Sequence, residues 1–164
     1  MVYDDELLKN IFRKVHNIAL VGASPNWIRP SNFAMKYLQN KGYRVIPVNP
    51  KHVGEKINNE IVYASLSDIP NNFEMVDIFR KSEEVYPIME ETIKLAKVKG
   101  IFVAWMQLGV FNQTAAKLGE EAELVVIMNR CPKIEYARLF GELSWSGINT
   151  GSISSKRPKL RQLK

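Results

Sequence analysis

The chain reads as an α/β protein: a doubly wound, mainly parallel five-stranded sheet with helices on both faces. Three observations predict this. Apolar runs recur at residues 18–21, 43–48, 75–79, 101–105 and 124–128, with little apolar–polar alternation, as in strands buried on both faces. Stretches with helical periodicity separate these runs. The first run ends in Gly22, Ala23 and Ser24, a small-residue turn that leads through Pro25 and Pro30 into a helix. Such a turn leaves free N–H groups and the positive end of a helix dipole above a strand end, where a phosphate is favoured.

The elements follow in order. Residues 4–14 place Leu7, Leu8, Ile11 and Phe12 on one face, with acids in the first turn and Arg13 and Lys14 in the last, so they form an amphipathic helix. After the first strand, Ser31 is expected to cap a helix carrying Phe33, Ala34, Tyr37 and Leu38, which stops at Gly42. The strand at 43–48 completes a βαβ unit, whose crossover is right-handed. Residues 51–59 read as loop or a short turn, 61–63 as a short edge segment and 67–70 as a turn. Ser82, Glu83 and Glu84 open a long helix closing near Gly100; Pro87 inside it implies a late start or a kink. Asn112 caps the helix at 112–121, and residues 133–140 supply a last turn or two. Alternation of this kind defines a Rossmann-like sheet.

At 164 residues and 46% hydrophobic, the chain forms one domain, 1–150, that includes the first helix. Residues 151–164 are a basic tail. The net charge of +6 is located there: Lys156, Arg157, Lys159, Arg161 and Lys164 account for most of it, leaving a nearly neutral body. The tail reads as a solvated end, and nucleic acid is not expected as a partner. No apolar run is long enough to span a membrane. The acidic start, Met1 to Glu6, lacks an apolar signal core, and a lone Cys131 suits a reducing compartment, so a cytoplasmic location is expected. Two histidines and one cysteine make no metal site.

In an open parallel sheet, ligands sit beyond the carboxyl ends of the strands. After the first strand come Gly22, Ala23 and Ser24, with Arg29, Ser31 and Asn32 further along. After the second come Asn49, Pro50 and Lys51; after the third, Arg80 and Lys81; after the fourth, Trp105, Met106, Gln107 and Leu108; and after the fifth, Asn129, Arg130 and Cys131. Cations at three strand ends, with Arg29 added, point to a phosphate-rich ligand, against the alternative of ordinary solvated surface charge. An NAD site would place an acid after the second strand. Lys51 stands there instead, which suits a phosphorylated ribose and leaves NADP or coenzyme A; the Walker pattern is absent. Catalytic groups are scarce. His16 lies at the wrong end of its strand, His52 has no acid fixed beside it, Cys131 reads as a small packed thiol, and Asp77 and Glu135 stand alone.

Five blocks taken together carry a family resemblance. They are Val21-Gly22-Ala23-Ser24, Val45 to Pro50, Val76 to Arg80, Trp105 to Gly109, and Asn129 to Glu135. Across residues 15–139 the chain resembles the small single-domain CoA-binding proteins, which are similar to the N-terminal CoA-binding domain of the succinyl-CoA ligase α subunit. The Gly147-to-Gly151 and Ser154-to-Arg157 stretches also fit. The resemblance implies coenzyme A, or an acyl-CoA, with its phosphates over the first loop at Gly22 and Ala23. Ser24, Arg29, Ser31 and Asn32 would face those phosphates, Asn49, Pro50 and Lys51 would lie along the nucleotide, and Arg80 would pair a phosphate. Gln107 and Arg130 would border the pantetheine arm. The ligase also needs a second domain with a phosphorylated histidine, for which this chain offers neither room nor a candidate. The expected function is therefore CoA binding in a regulatory or carrier role, without catalysis. The alternative is an NADP-linked reductase or acyl-CoA transferase using His52 or Cys131. A homodimer or another protein partner is left open; an exposed Trp105 or Trp145 would serve an interface, and either fits the core equally well.

Overall fold

The computed structural model describes residues 2–141. The expected basic tail, Trp145 and the last resemblance blocks lie outside the described residues. Helix α1 (Asp5–Lys14) leads to β1 (Asn17–Val21), α2 (Pro30–Asn40) and β2 (Arg44–Val48). A small hairpin, β3 (Lys56–Ile57) and β4 (Glu60–Ile61), precedes β5 (Met75–Ile78). A 3-10 turn at Ser82–Glu84 runs into α3 (Val85–Lys99), followed by β6 (Val103–Met106), α4 (Gln113–Glu121), β7 (Val125–Ile127) and α5 (Pro132–Leu139).

The main sheet has the order β2-β1-β5-β6-β7, and every pairing in it is parallel. The chain winds outward from β1 to β2, then crosses back to start β5 on the other side of β1. The strand order therefore reverses between β1 and β5, which opens a crevice at their carboxyl ends.

Alternating side chains along the strands build two cores. On one face Ile18, Leu20, Val45, Met75 and Trp105 pack with Phe12 of α1, Leu38 of α2 and Tyr136 of α5. On the other, Ala19, Ile46, Val76, Ile78 and Ala104 pack with Met89 of α3 and Ala115 of α4. Among the described residues no helix is long and apolar enough to cross a membrane.

Two local expectations are corrected. Ser31 does not cap α2: Arg29 holds the N-cap position, Pro30 is the first helical residue and Ser31 is buried one position further in. Proline suits that first position because its missing N–H has no intrahelical partner to lose. Residues 51–59 are not all loop, since Lys56↔Ile61 and Ile57↔Glu60 pair as the β3–β4 hairpin, with Asn58 and Asn59 at positive φ in its turn. Of the two readings left open for Trp105, the structure gives the core one, since it is fully buried. Two other readings hold. The long helix does start late, with Pro87 in the first turn of α3, and Asn112 caps α4, its Oδ1 accepting from the Ala115 N–H at 2.9 Å.

Candidate functional site

Two hollows lie over the carboxyl ends of the strands and meet at Arg80, Glu83 and Glu84. The larger, about 1240 Å³, is walled by Ile28, Phe33 and Ala34 from the start of α2, Leu108 and Val110 beyond β6, and Ile134 of α5. Ile28, Phe33, Leu108 and Ile134 are all exposed, so this is an apolar wall facing solvent. The smaller, about 430 Å³, lies over Val21, Gly22, Val48, Asn49 and Pro50 and reaches Ile88 of α3.

The loop after β1 is built to lie close to the end of β5. Gly22 has φ +89°, and a Cβ there would fall 2.3 Å from the Phe79 carbonyl oxygen, so only glycine fits. The loop is tied down by its own chain. The Gly22 and Ala23 N–H groups both donate to the Val48 carbonyl. Asn49 Nδ2 donates to the Ala23 carbonyl at 2.8 Å, and Asn32 Nδ2 to the Ser24 carbonyl at 2.9 Å. Ser24 Oγ accepts from the Asn26 N–H, and Asn26 Oδ1 from the Ile28 N–H. The expectation of an open row of N–H groups is corrected at these four positions. Asn32, Asn49 and Ser24 shape the loop through bonds already made.

The cations separate. Arg80 is half-buried at the junction of the two hollows, where Nη2 donates to Glu84 Oε1. That bond holds the Glu84 carboxyl below its ordinary range. Arg29 and Lys51 are exposed and belong to neither lining. Arg130 turns toward the N-terminal segment and α5: its guanidinium lies 5.8 Å from the Tyr3 ring centroid and its Nε is 3.5 Å from Glu135. Lys133, not singled out from sequence, lines the larger hollow, its Nζ 6.0 Å from the Phe33 ring centroid.

Beneath the larger hollow lies a buried polar pair. Asp77 of β5 is fully buried, and Gln107, just past β6, donates from Nε2 to both its carboxylate oxygens at 2.9 and 3.2 Å. Burial raises the Asp77 carboxyl to about 7, with the Gln107 bond opposing the rise. Asp77 therefore does not stand alone. Cys131 lies beside the pair at the N-cap of α5, and its thiol is pushed up, mainly by burial, with the Asp77 charge adding to the effect. Glu135 is also engaged, accepting from Arg138. His52 does have an acid beside it: Nδ1 lies 3.1 Å from Glu55 Oε1, in the approach to β3 and outside both linings. His16 is exposed at the amino end of β1, as expected.

Of the sequence-selected residues, the structure brings Gly22, Asn49 and Pro50 to the smaller hollow, Gln107 to the larger, and Arg80 to both. Ala23, Ser24 and Asn32 build the loop, while Arg29, Ser31, Lys51 and Arg130 lie off the linings. Of the apolar wall, sequence reasoning shortlisted Leu108 but missed Phe33 and Ile134, because these two have the periodicity of core residues. It also undervalued Asp77, although a lone acid inside an apolar strand was a readable signal.

The profile of the family described as CoA binding domain matches residues 16–137. The chain is 33% identical over 130 residues to the uncharacterised protein YneT of Bacillus subtilis, spanning 79% of this chain and 92% of that one. Among solved structures it is similar to a hypothetical protein from Pyrococcus horikoshii, with a TM-score of 0.78 and 41% identity over 85% of this chain and 94% of that one. A Thermus thermophilus protein, cell-free ID.343, aligns with a TM-score of 0.79 and 31% identity over 84% of this chain and all of its own. With the profile spanning most of the sheet and relatives matched along nearly their full lengths, the chain belongs to the CoA-binding domain family.

Proposed function

We propose that this chain binds coenzyme A or an acyl-CoA across the carboxyl ends of β2, β1, β5 and β6, and that it acts as a carrier or regulatory binder rather than a catalyst. The observation that carries this is the continuity of the two hollows through Arg80. A small recess over Gly22, Asn49 and Pro50 suits the nucleotide end. A forked cation at the junction suits a phosphate, which competes with Glu84 for it. The long apolar arm suits pantetheine, which is uncharged and mostly aliphatic. From β2 to β6 is three strand spacings, roughly 14 Å, a span that an extended cofactor covers.

The chemistry of the site supports a non-catalytic role. Burial favours the neutral thiol of Cys131, which is the unreactive form. His52 sits outside both linings and is engaged with Glu55, so it meets no ligand placed in this way.

A thermal-shift series with coenzyme A, acetyl-CoA, NAD and NADP tests the proposal. A ligand that binds only the folded state adds about 2.7 kcal/mol at a hundredfold excess over Kd. Both CoA species should raise the Tm by several degrees, while NAD and NADP leave it unchanged. Stabilisation by neither CoA species, or by NADP alone, overturns the reading.

A further inference from the structure

The buried pair beneath the larger hollow has a chemical consequence of its own. An ionised carboxylate is an acceptor only, so Gln107 must turn its NH2 group to Asp77, as Nε2 does to both oxygens. The other half of the amide, Oε1, is thereby committed away from Asp77. Gln107 is 5% exposed and lines the hollow. It is the uncharged amide of that lining, beside the neutral thiol of Cys131, among apolar neighbours and the rim charges Arg80, Lys81, Glu83, Glu84 and Lys133. It follows β6, two strands beyond β1, on the side of Arg80 away from the nucleotide recess. On the placement proposed above, that is the sulfur end of the ligand.

We propose that Asp77 and Gln107 select the chemical form of the ligand: Asp77 holds the Gln107 amide with its oxygen toward the hollow, so the floor accepts hydrogen bonds and favours the free thiol of coenzyme A over an acyl thioester. A thiol can donate a weak hydrogen bond to that oxygen. A thioester carbonyl can only accept, and would face a second acceptor at a desolvated site, where an unmatched polar group is penalised. Gln107 is the specificity-determining residue and Asp77 its positioning residue. The inference rests on the CoA-binding reading and adds to it the form of the ligand.

The arrangement also depends on pH. Protonated Asp77 can donate to Oε1, which lets the amide turn and present its NH2 group to the hollow, where it suits a thioester carbonyl. The change falls near neutrality, since burial raises the Asp77 carboxyl to about 7. The strands on either side face it with Leu20 and Trp105 in register, neither of which titrates. From α2 the hollow receives Pro30, Phe33 and Ala34, all uncharged. From the start of α5 come Cys131, whose raised thiol stays neutral in this range, and Lys133.

Isothermal titration with coenzyme A and with acetyl-CoA, under reducing conditions at pH 8 and pH 6, tests this through the ratio of the two Kd values. Effects of pH on the shared phosphates cancel in that ratio. The unaltered protein should bind coenzyme A about fivefold tighter at pH 8, as one hydrogen bond warrants, with the ratio falling to one or inverting at pH 6. Gln107→Leu should give equal affinities at both pH values, and Asp77→Asn should give a ratio that no longer changes with pH. Equal binding or an acetyl-CoA preference at pH 8 overturns the inference while leaving the CoA reading intact, as does a Gln107→Leu ratio matching the parent. Binding of neither ligand overturns both. Should either variant fail to fold, the pH dependence of the unaltered protein decides alone.

Discussion

The two faces of the sheet are packed by different means. The face covered by α1, α2 and α5 is aromatic: Phe12 meets Trp105 at 5.6 Å between ring centroids and Tyr136 edge-on at 5.4 Å, and Tyr37 and Tyr43 also pack against Tyr136. It also holds buried polar groups, Asp77 and Lys41, the latter with its Nζ 5.1 Å from the Tyr37 centroid. The face covered by α3 and α4 is mainly aliphatic and, among the described residues, has no aromatic pair of this kind. Its buried polar residue, Thr92, satisfies its own hydroxyl on the Ile88 carbonyl within α3. Large rings with polar edges accommodate buried hydrogen-bonding groups, whereas close aliphatic packing leaves no room for them. The difference teaches which face lies under the larger hollow. Alternation along β5 puts Asp77 on the aromatic side with Met75, under the larger hollow, and leaves Val76 and Ile78 to seal the other.

Removing the centre of the aromatic face should cost most. Trp105→Ala deletes a fully buried ring and the bond from its Nε1 to the Arg130 carbonyl at 2.8 Å. A loss of about 3–5 kcal/mol is expected, read as a lowered denaturation midpoint in urea. A loss under 1 kcal/mol would mean that this face is not the principal core.

The buried acid should come next, through pH. Its folded pKa, about 7, lies above the ordinary 3.8, so the native state holds the proton more tightly than the unfolded chain. Stability is therefore favoured at low pH and lost as pH rises from about 4 to 7. Between pH 5 and pH 8 this contribution is on the order of 2 to 3 kcal/mol. Asp77→Asn removes it, so the variant should gain on the parent by that amount between the two pH values. An unchanged difference would show that Asp77 does not titrate in this range.

The smallest effect belongs to the aliphatic face. In α4, a Cβ at Gly119 would meet Met89 Sδ at 2.8 Å and Val126 Cγ2 at 2.9 Å. Gly119→Ala gains up to about 1 kcal/mol of helix propensity but overpacks by about 1–3. The net loss should be about 1 kcal/mol, with CoA affinity unchanged because the residue lies away from both hollows. Altered CoA affinity in this variant would break the division of labour between the faces.

Legibility followed the range of the physical cause. The apolar strand runs, the Asn112 cap and the late start imposed by Pro87 rest on neighbours a few residues away, and all were readable in the chain. The sequence also pointed to Gly22, Asn49 and Arg80 as strand-end residues, because the topological rule needs only strand order. It misread Ser31, since Pro30 competes for the helix start, and it took residues 51–59 for loop because a two-residue strand has no periodicity to detect.

By itself, then, the amino-acid sequence determined the fold class, the strand ends where a ligand can bind and the family resemblance that names coenzyme A. Only the tertiary structure decided which of those residues line the two hollows. Asn32 and Asn49 turned their amides to loop carbonyls, Arg130 turned to Glu135, and Asp77 met Gln107 across 30 residues of chain. Periodicity assigns a residue to a face, but the partner of a polar side chain is set by what other segments bring within 3 Å of it, and buried groups must take whichever partner arrives.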